Sequence, residues 1–169
     1  MVRGLSTRIP LSMLVRAERK STKNWQIIQK YSTKFTKLEQ EKIFSVSHGP
    51  GELFACYGFK ITKVSSGVFA AIQHAKMWKQ VEPNLVLASF KGGKAGATSS
   101  HPGHGPSQAF ELGRKGAYHP WANRNTGKFP HTVWYKFPTA FTLAKFAISS
   151  RDRCCLEQSP LEFEQHLSL

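Results

Sequence analysis

The sequence predicts a mainly β protein preceded by a basic, α-rich N-terminal segment, and three stretches carry the β part of that prediction. From Thr132 to Phe137, Val133, Trp134, Tyr135 and Phe137 give the density of β-branched and aromatic side chains that suits a pleated, half-buried surface. Pro138 ends that run, and Phe141 to Ser150 resumes it with Leu143, Phe146 and Ile148. The offset between Leu143 and Phe146 breaks strict alternation, which predicts a bulge or a strand buried on both faces. Leu53 to Val64 sets Ala55, Tyr57, Phe59 and Ile61 against Lys60 and Thr62, the alternation of a further strand.

The α-rich part rests on period. Between Asn24 and Phe44, the residues Trp25, Ile28, Tyr31, Phe35 and Leu38 fall at helical spacing, with Lys30, Lys34, Lys37 and Lys42 toward the polar side. The segment His48-Gly49-Pro50-Gly51 breaks this pattern. Ser65 or Ser66 is placed to cap a second helix through Val68, Phe69, Ile72 and Met77 to about Gln80, closed by Glu82-Pro83-Asn84. A boundary near Pro83 therefore divides the chain into residues 1–83 and 84–169. Glycine, serine and proline crowd residues 91–106, which predicts a flexible stretch.

The formal net charge of +14 points to anionic partners: sulphated glycan, anionic lipid or nucleic acid. The excess lies in residues 1–48 and 91–151, and the acidic residues after Arg151 offset little of it. Nucleic acid is the weakest of the three, because zinc-finger spacing, a recognition-helix pair and an aromatic RNA-binding motif are all missing. Arg3, Arg8, Arg16 and Arg19 among serines and threonines, with Glu18 the one acid, have the composition of a mitochondrial presequence. No stretch has the length of apolar sequence that spans a bilayer.

A family resemblance comes from the order of motifs. The segment ATSSHPGHGPSQAF at 97–110 is followed by Trp121, the two strands ending in Ser-Ser-Arg151, and then Gln158-Ser-Pro160-Leu-Glu-Phe163-Glu. From about residue 87 to 164 this resembles the discoidin family, the coagulation factor V/VIII type C domains. The resemblance implies a galactose-binding-like jelly-roll β-sandwich without catalytic activity. Such a domain binds sugars, phospholipid head groups or protein partners through loops at one end, and family members are mostly extracellular or on cell surfaces. Residues 84–169 match only the first half of such a domain, so the expected product is an incomplete sandwich with free edges that invite pairing with another chain.

The resemblance places His101, His104, Tyr118, His119 and Arg124 in ligand-end loops, where they would hydrogen-bond sugar hydroxyls or phosphates. Trp134, Phe137, Leu143, Phe146 and Ile148 would be scaffold, and Trp121 would pack under the sheet. Family members carry Asp-Gly after Ala-Phe, whereas this chain has Glu111-Leu112-Gly113, so Glu111 is a weak candidate for calcium and no cofactor is expected. A zinc set drawn from His101, His104, His119 and His131 lacks recognisable spacing. Cys56 reads as a small buried hydrophobe, and adjacent Cys154 and Cys155 make no disulfide framework. Nucleophile elbows, phosphate loops and zinc-protease helices are absent, which argues against an enzyme.

Overall fold

The structure is a computed structural model and describes residues 25–47, 52–112, 120–124 and 128–168. It is mainly β. Eleven strands run in chain order: β1 (Gln26–Ser32), β2 (Glu41–Ser45), β3 (Phe54–Val64), β4 (Ala71–Ile72), β5 (His74–Val81), β6 (Asn84–Leu87), β7 (Lys94–Ala97), β8 (Trp121–Ala122), β9 (His131–Phe141), β10 (Leu143–Ser149) and β11 (Pro160–Ser168). A five-stranded sheet has the order β1-β11-β3-β9-β7, a four-stranded sheet the order β2-β10-β5-β6, and β4 pairs with β8 in a short ribbon. All pairings are antiparallel.

Alternation decides which face of each strand is buried. On β3, Tyr57, Phe59 and Ile61 are fully buried, and Phe163 and Leu167 of β11 face the same core from the neighbouring strand. Phe146 of β10 brings the second sheet against them, with its ring centroid 5.0 Å from Phe59, 5.1 Å from Phe44 and 5.2 Å from Tyr31. A second aromatic group gathers Phe90, Phe110, Tyr135 and Phe137, with centroids about 5 Å apart. Offset and edge-to-face ring contacts of this kind add to the area they bury. The hydrophobic faces of the two sheets thus cover one another, as in a sandwich.

The strands expected at 53–64, 132–137 and 141–150 are present, and a register shift between Leu143 and Lys145 supplies the bulge. Several other expectations need correction. The helix expected over 24–44 is β1 and β2. A register shift between Ile27 and Gln29 breaks the period of two, so that Ile28 and Tyr31, three residues apart, both pack on the core and imitate helical spacing. The helix expected to Gln80 is β4 and β5, in which Ala75 and Met77 are buried while Lys76 and Trp78 are only partly covered; a small alanine hid the alternation. The α-rich description therefore fails for the described part of residues 1–83, while residues 1–24 lie outside the described residues.

Pro138 does not end its strand. It sits in the irregular stretch of β9 between the Cys56–Lys136 and Phe54–Phe141 pairs, beyond the last β7 partner, where its missing N–H costs no ladder bond. The flexible stretch expected at 91–106 contains β7. Its glycines serve the neighbouring strand: a Cβ on Gly93 would fall 2.3 Å from the Tyr135 ring, and one on Gly96 would fall 2.1 Å from the Trp134 ring. Pro83 lies in the two-residue turn of the β5–β6 hairpin, and β3 and β5, from before it, are interior strands of sheets that β9, β10 and β11 also build.

One ion cluster crosses the five-stranded sheet. Glu164 of β11 lies 2.9 Å from Lys60 Nζ, 3.3 Å from Lys30 Nζ and 3.1 Å from His166 Nε2. The hydrogen bonds from Lys60 and then His166 hold its carboxyl down at about 2. A carboxylate depressed in the folded state adds stability above its unfolded value near 4.5, and that stability is lost as the pH falls toward 2. We expect Glu164→Gln to cost about 1–2 kcal/mol at neutral pH, with screening by solvent at Lys30 limiting the loss, and to flatten the stability profile between pH 4.5 and 2. We expect Phe146→Ala to cost about 3–5 kcal/mol. Urea melts of both variants across pH check both statements.

Candidate ligand-binding site at the loop end

The β4–β8 ribbon and the connections around it hold the residues of the candidate site. Trp121, fully buried, donates its indole N–H to the Ser99 carbonyl at 3.3 Å, so it packs inward as expected. Asn123 locks the ribbon in place. Its Oδ1 accepts from the Ala70 backbone N–H at 2.5 Å, and its Nδ2 lies 2.8 Å from the Arg124 carbonyl, 3.2 Å from the Val68 carbonyl and 2.9 Å from His131 Nε2. Asn123 is fully buried and His131 is 3% exposed. Burial pushes the His131 imidazole below its usual value of 6.5, which keeps Nε2 free to accept from the amide.

The sequence His101-Pro102-Gly103-His104 is a tight turn closed by the His104 N–H donating to the His101 carbonyl at 2.9 Å. Gly103 takes φ +79°, and proline precedes it, as in a type II turn. The His101 N–H also donates to the Ala122 carbonyl at 2.8 Å, which ties the turn to β8. Both imidazoles come to the same place, with centroids 5.6 Å apart, and Phe69 meets His101 edge-on at 6.3 Å. His101 Nδ1 contacts the Pro102 carbonyl and His104 Nδ1 the Pro120 carbonyl, each at 3.0 Å.

These rings open onto a pocket of about 170 Å³ lined by Phe69, His101, His104, Ala122, Arg151 and Gln158. Arg151 comes from the connection after β10, is 5% exposed, and donates from its guanidinium to the Gln158 side-chain carbonyl. Its carbonyl accepts from the Glu39 N–H at 2.9 Å, while Ser150 Oγ donates to the Lys37 carbonyl and accepts from the Gln40 N–H. In the adjoining connections, Gln73 Oε1, Ser99 Oγ, Gln108 Oε1 and Ser159 Oγ are buried with no hydrogen-bond partner among the described residues. Polar atoms held this way cost about 1–3 kcal/mol each until water or a ligand meets them. The arrangement is a small pocket of mixed polar and apolar lining, with an aromatic wall and a buried arginine. It suits hydroxyl groups and a single anionic group.

Of the residues expected at the ligand end, His101 and His104 are brought together. Arg124 is exposed directly after Asn123 and does not line the pocket. Tyr118 and His119 lie outside the described residues. Glu111 borders a larger, mostly apolar pocket of about 540 Å³ with Leu87, Phe90, Lys91, Phe110 and Leu112. Among the described residues no three His, Cys, Asp or Glu side chains converge on a metal position, and His131 is occupied by Asn123. Sequence reasoning missed Phe69, Arg151 and Gln158; the signal for Arg151 was an arginine directly after an apolar strand and two serines. No described helix is long and apolar enough to cross a membrane.

Protonating His131 would force the Asn123 amide to turn and give up the Ala70 N–H. Because the folded imidazole sits below 6.5, stability is full above that pH and is lost as the pH falls through the lower folded value. The depressed His74, desolvated first and opposed by Asp152, adds in the same direction. We expect an acid limb beginning near pH 6.5, separate from the carboxylate limb below 4.5, and expect His131→Gln to reduce it. Asn123→Ala should cost about 2–4 kcal/mol by orphaning buried donors and acceptors. Thermal melts between pH 8 and 4 check this.

Compared with known proteins, the chain matches no family model, no curated protein and no solved structure.

Proposed function

We propose that the protein is a non-catalytic binding module of the discoidin type, a galactose-binding-like jelly roll that takes a glycan, or an anionic head group, in the pocket beside His101 and His104. The observation that carries this reading is the convergence of two histidines, the buried Arg151, Gln158 and the Phe69 ring on one opening at a loop end. Imidazole and amide groups hydrogen-bond hydroxyls, a guanidinium pairs with phosphate or carboxylate, and an aromatic wall takes the apolar face of a sugar. The order of motifs from residue 97 to 164 supports the family assignment, and a five-stranded sheet packed on a four-stranded one is compatible with it. An extracellular or cell-surface setting follows from that family reading.

A second reading, an interaction protein that pairs a free sheet edge with another chain, is favoured by one observation. The edge strand β6 is exposed along its whole length and presents Leu85, Val86 and Leu87. A glycan array and vesicles containing phosphatidylserine, each read with the wild type and with His101→Ala/His104→Ala, separate the two. The binding-module reading expects the double variant to weaken binding about ten-fold or more, equivalent to about 1.4 kcal/mol, at unchanged melting temperature. Equal binding by both proteins, or a discrete oligomer with no binding to either surface, would contradict it.

A further inference from the structure

The outer face of the five-stranded sheet carries features that the loop-end pocket does not use. On β9, Val133, Tyr135 and Phe137 point into the core, while Trp134 and Lys136 point away from it. Trp134, expected as scaffold, is only partly covered. Its row across the sheet is Ile27, His166, Gly58, Trp134 and Gly96. The two glycines make the row flat enough for a large ring. A Cβ on Gly96 would stand 2.1 Å from the Trp134 indole, and one on Gly58 would stand 3.1 Å from Trp134 Cβ and 3.3 Å from the Trp25 ring. Trp25 completes the surface, 6.4 Å from Trp134 and tilted 49° to it, and 6.2 Å from His166.

Two residues further along β9, on the same face, the next row sets Lys94 directly opposite Lys136. Like charges at facing strand positions destabilise a sheet, yet both side chains are exposed and neither has a carboxylate partner among the described residues. On the other side of the tryptophans, Glu164 and His166 are buried in their cluster with Lys60 and Lys30. Aromatic surface and a cation pair with no carboxylate partner among the described residues thus adjoin on one solvent face.

We propose that this face is a second binding site, for an acidic saccharide whose ring stacks on Trp134 and Trp25 and whose sulfate or carboxylate group is held by Lys94 and Lys136. The negative face of an indole attracts the polarised C–H groups of a pyranose, and two rings tilted toward each other match one or two sugar units. Single-stranded nucleic acid, the other polymer that combines stacking with charge, is served by aromatic side chains spread along a basic groove. Here both indoles share one position on the sheet, 6.4 Å apart. The site does not depend on the loop-end pocket.

Calorimetric titration of the full chain with a heparin-derived hexasaccharide, a neutral cello-hexasaccharide and a ten-residue oligothymidylate tests the proposal. The heparin fragment should bind and quench tryptophan fluorescence. Lys94→Ala/Lys136→Ala, which changes only exposed side chains, should weaken it about ten-fold or more, as should Trp134→Ala, on the scale of a lost stacking contact. The neutral sugar and the oligonucleotide should each bind at least about ten-fold more weakly. The tryptophan quench and its dependence on Lys94 and Lys136 should persist in His101→Ala/His104→Ala, whatever that variant loses at the loop-end pocket. If Trp134→Ala fails to fold, the lysine variant and the fluorescence quench decide. No binding, binding indifferent to the lysine pair, tighter binding of the oligonucleotide, or loss of the quench in the histidine variant would each overturn the second site; only the last of these would still favour the loop-end pocket.

Discussion

The contact that the remaining structure depends on is the seating of Phe146, from the four-stranded sheet, among Tyr31, Phe44, Phe59 and Phe163. The five rings come from five strands, three in one sheet and two in the other, so the cluster forms only when both sheets are assembled. Once it does, each strand's alternation is fixed, since a slip of one residue would turn its core face to water. The loop end inherits its geometry from that fixed register. Ser149 continues β10 into Ser150 and Arg151, and Ser150 gathers the 33–40 connection by two side-chain hydrogen bonds. Arg151 is thereby buried at a defined position beside the histidine turn.

How much of this could be read from the chain depends on how plainly each strand alternates. Residues 53–64 and 132–150 were legible, because large apolar side chains mark the core face and β-branched and aromatic types favour strands. The segment 24–44 was not, since a bulge in β1 restores core contacts at a spacing of three and mimics a helix. β5 was hidden by Ala75, whose small side chain carries little weight in a pattern though it is fully buried. β7 was masked by Gly93 and Gly96, residues that signal a loop and that here leave room for rings from β9. The site was half legible: Pro-Gly between two histidines announces a tight turn, whereas the approach of Arg151 and Phe69 is set by tertiary packing alone.

Electrostatics and function are partitioned between faces. The +14 charge is locally offset where Glu164 joins Lys30 and Lys60 and where Glu162 meets Lys63 at 3.1 Å. It is left unbalanced at the Lys94–Lys136 pair beside Trp134. Trp78, on β5, is covered by the Lys145 ammonium at 4.8 Å and so presents a capped ring. The contrast between a capped and an uncapped tryptophan shows that the two outer faces are not equivalent surfaces.

The central claim is that strands from both sides of Pro83 interleave into one cooperatively folded sandwich with β3 at its heart. Native-state hydrogen exchange of the full chain tests it most directly. The account predicts that amides of residues 57–61, which lie between β11 and β9, exchange only on global unfolding and as slowly as those of 145–148 in β10. Fast exchange across 57–61 while 132–149 stays protected would contradict it, because the later strands would then be holding together without the strand placed between them.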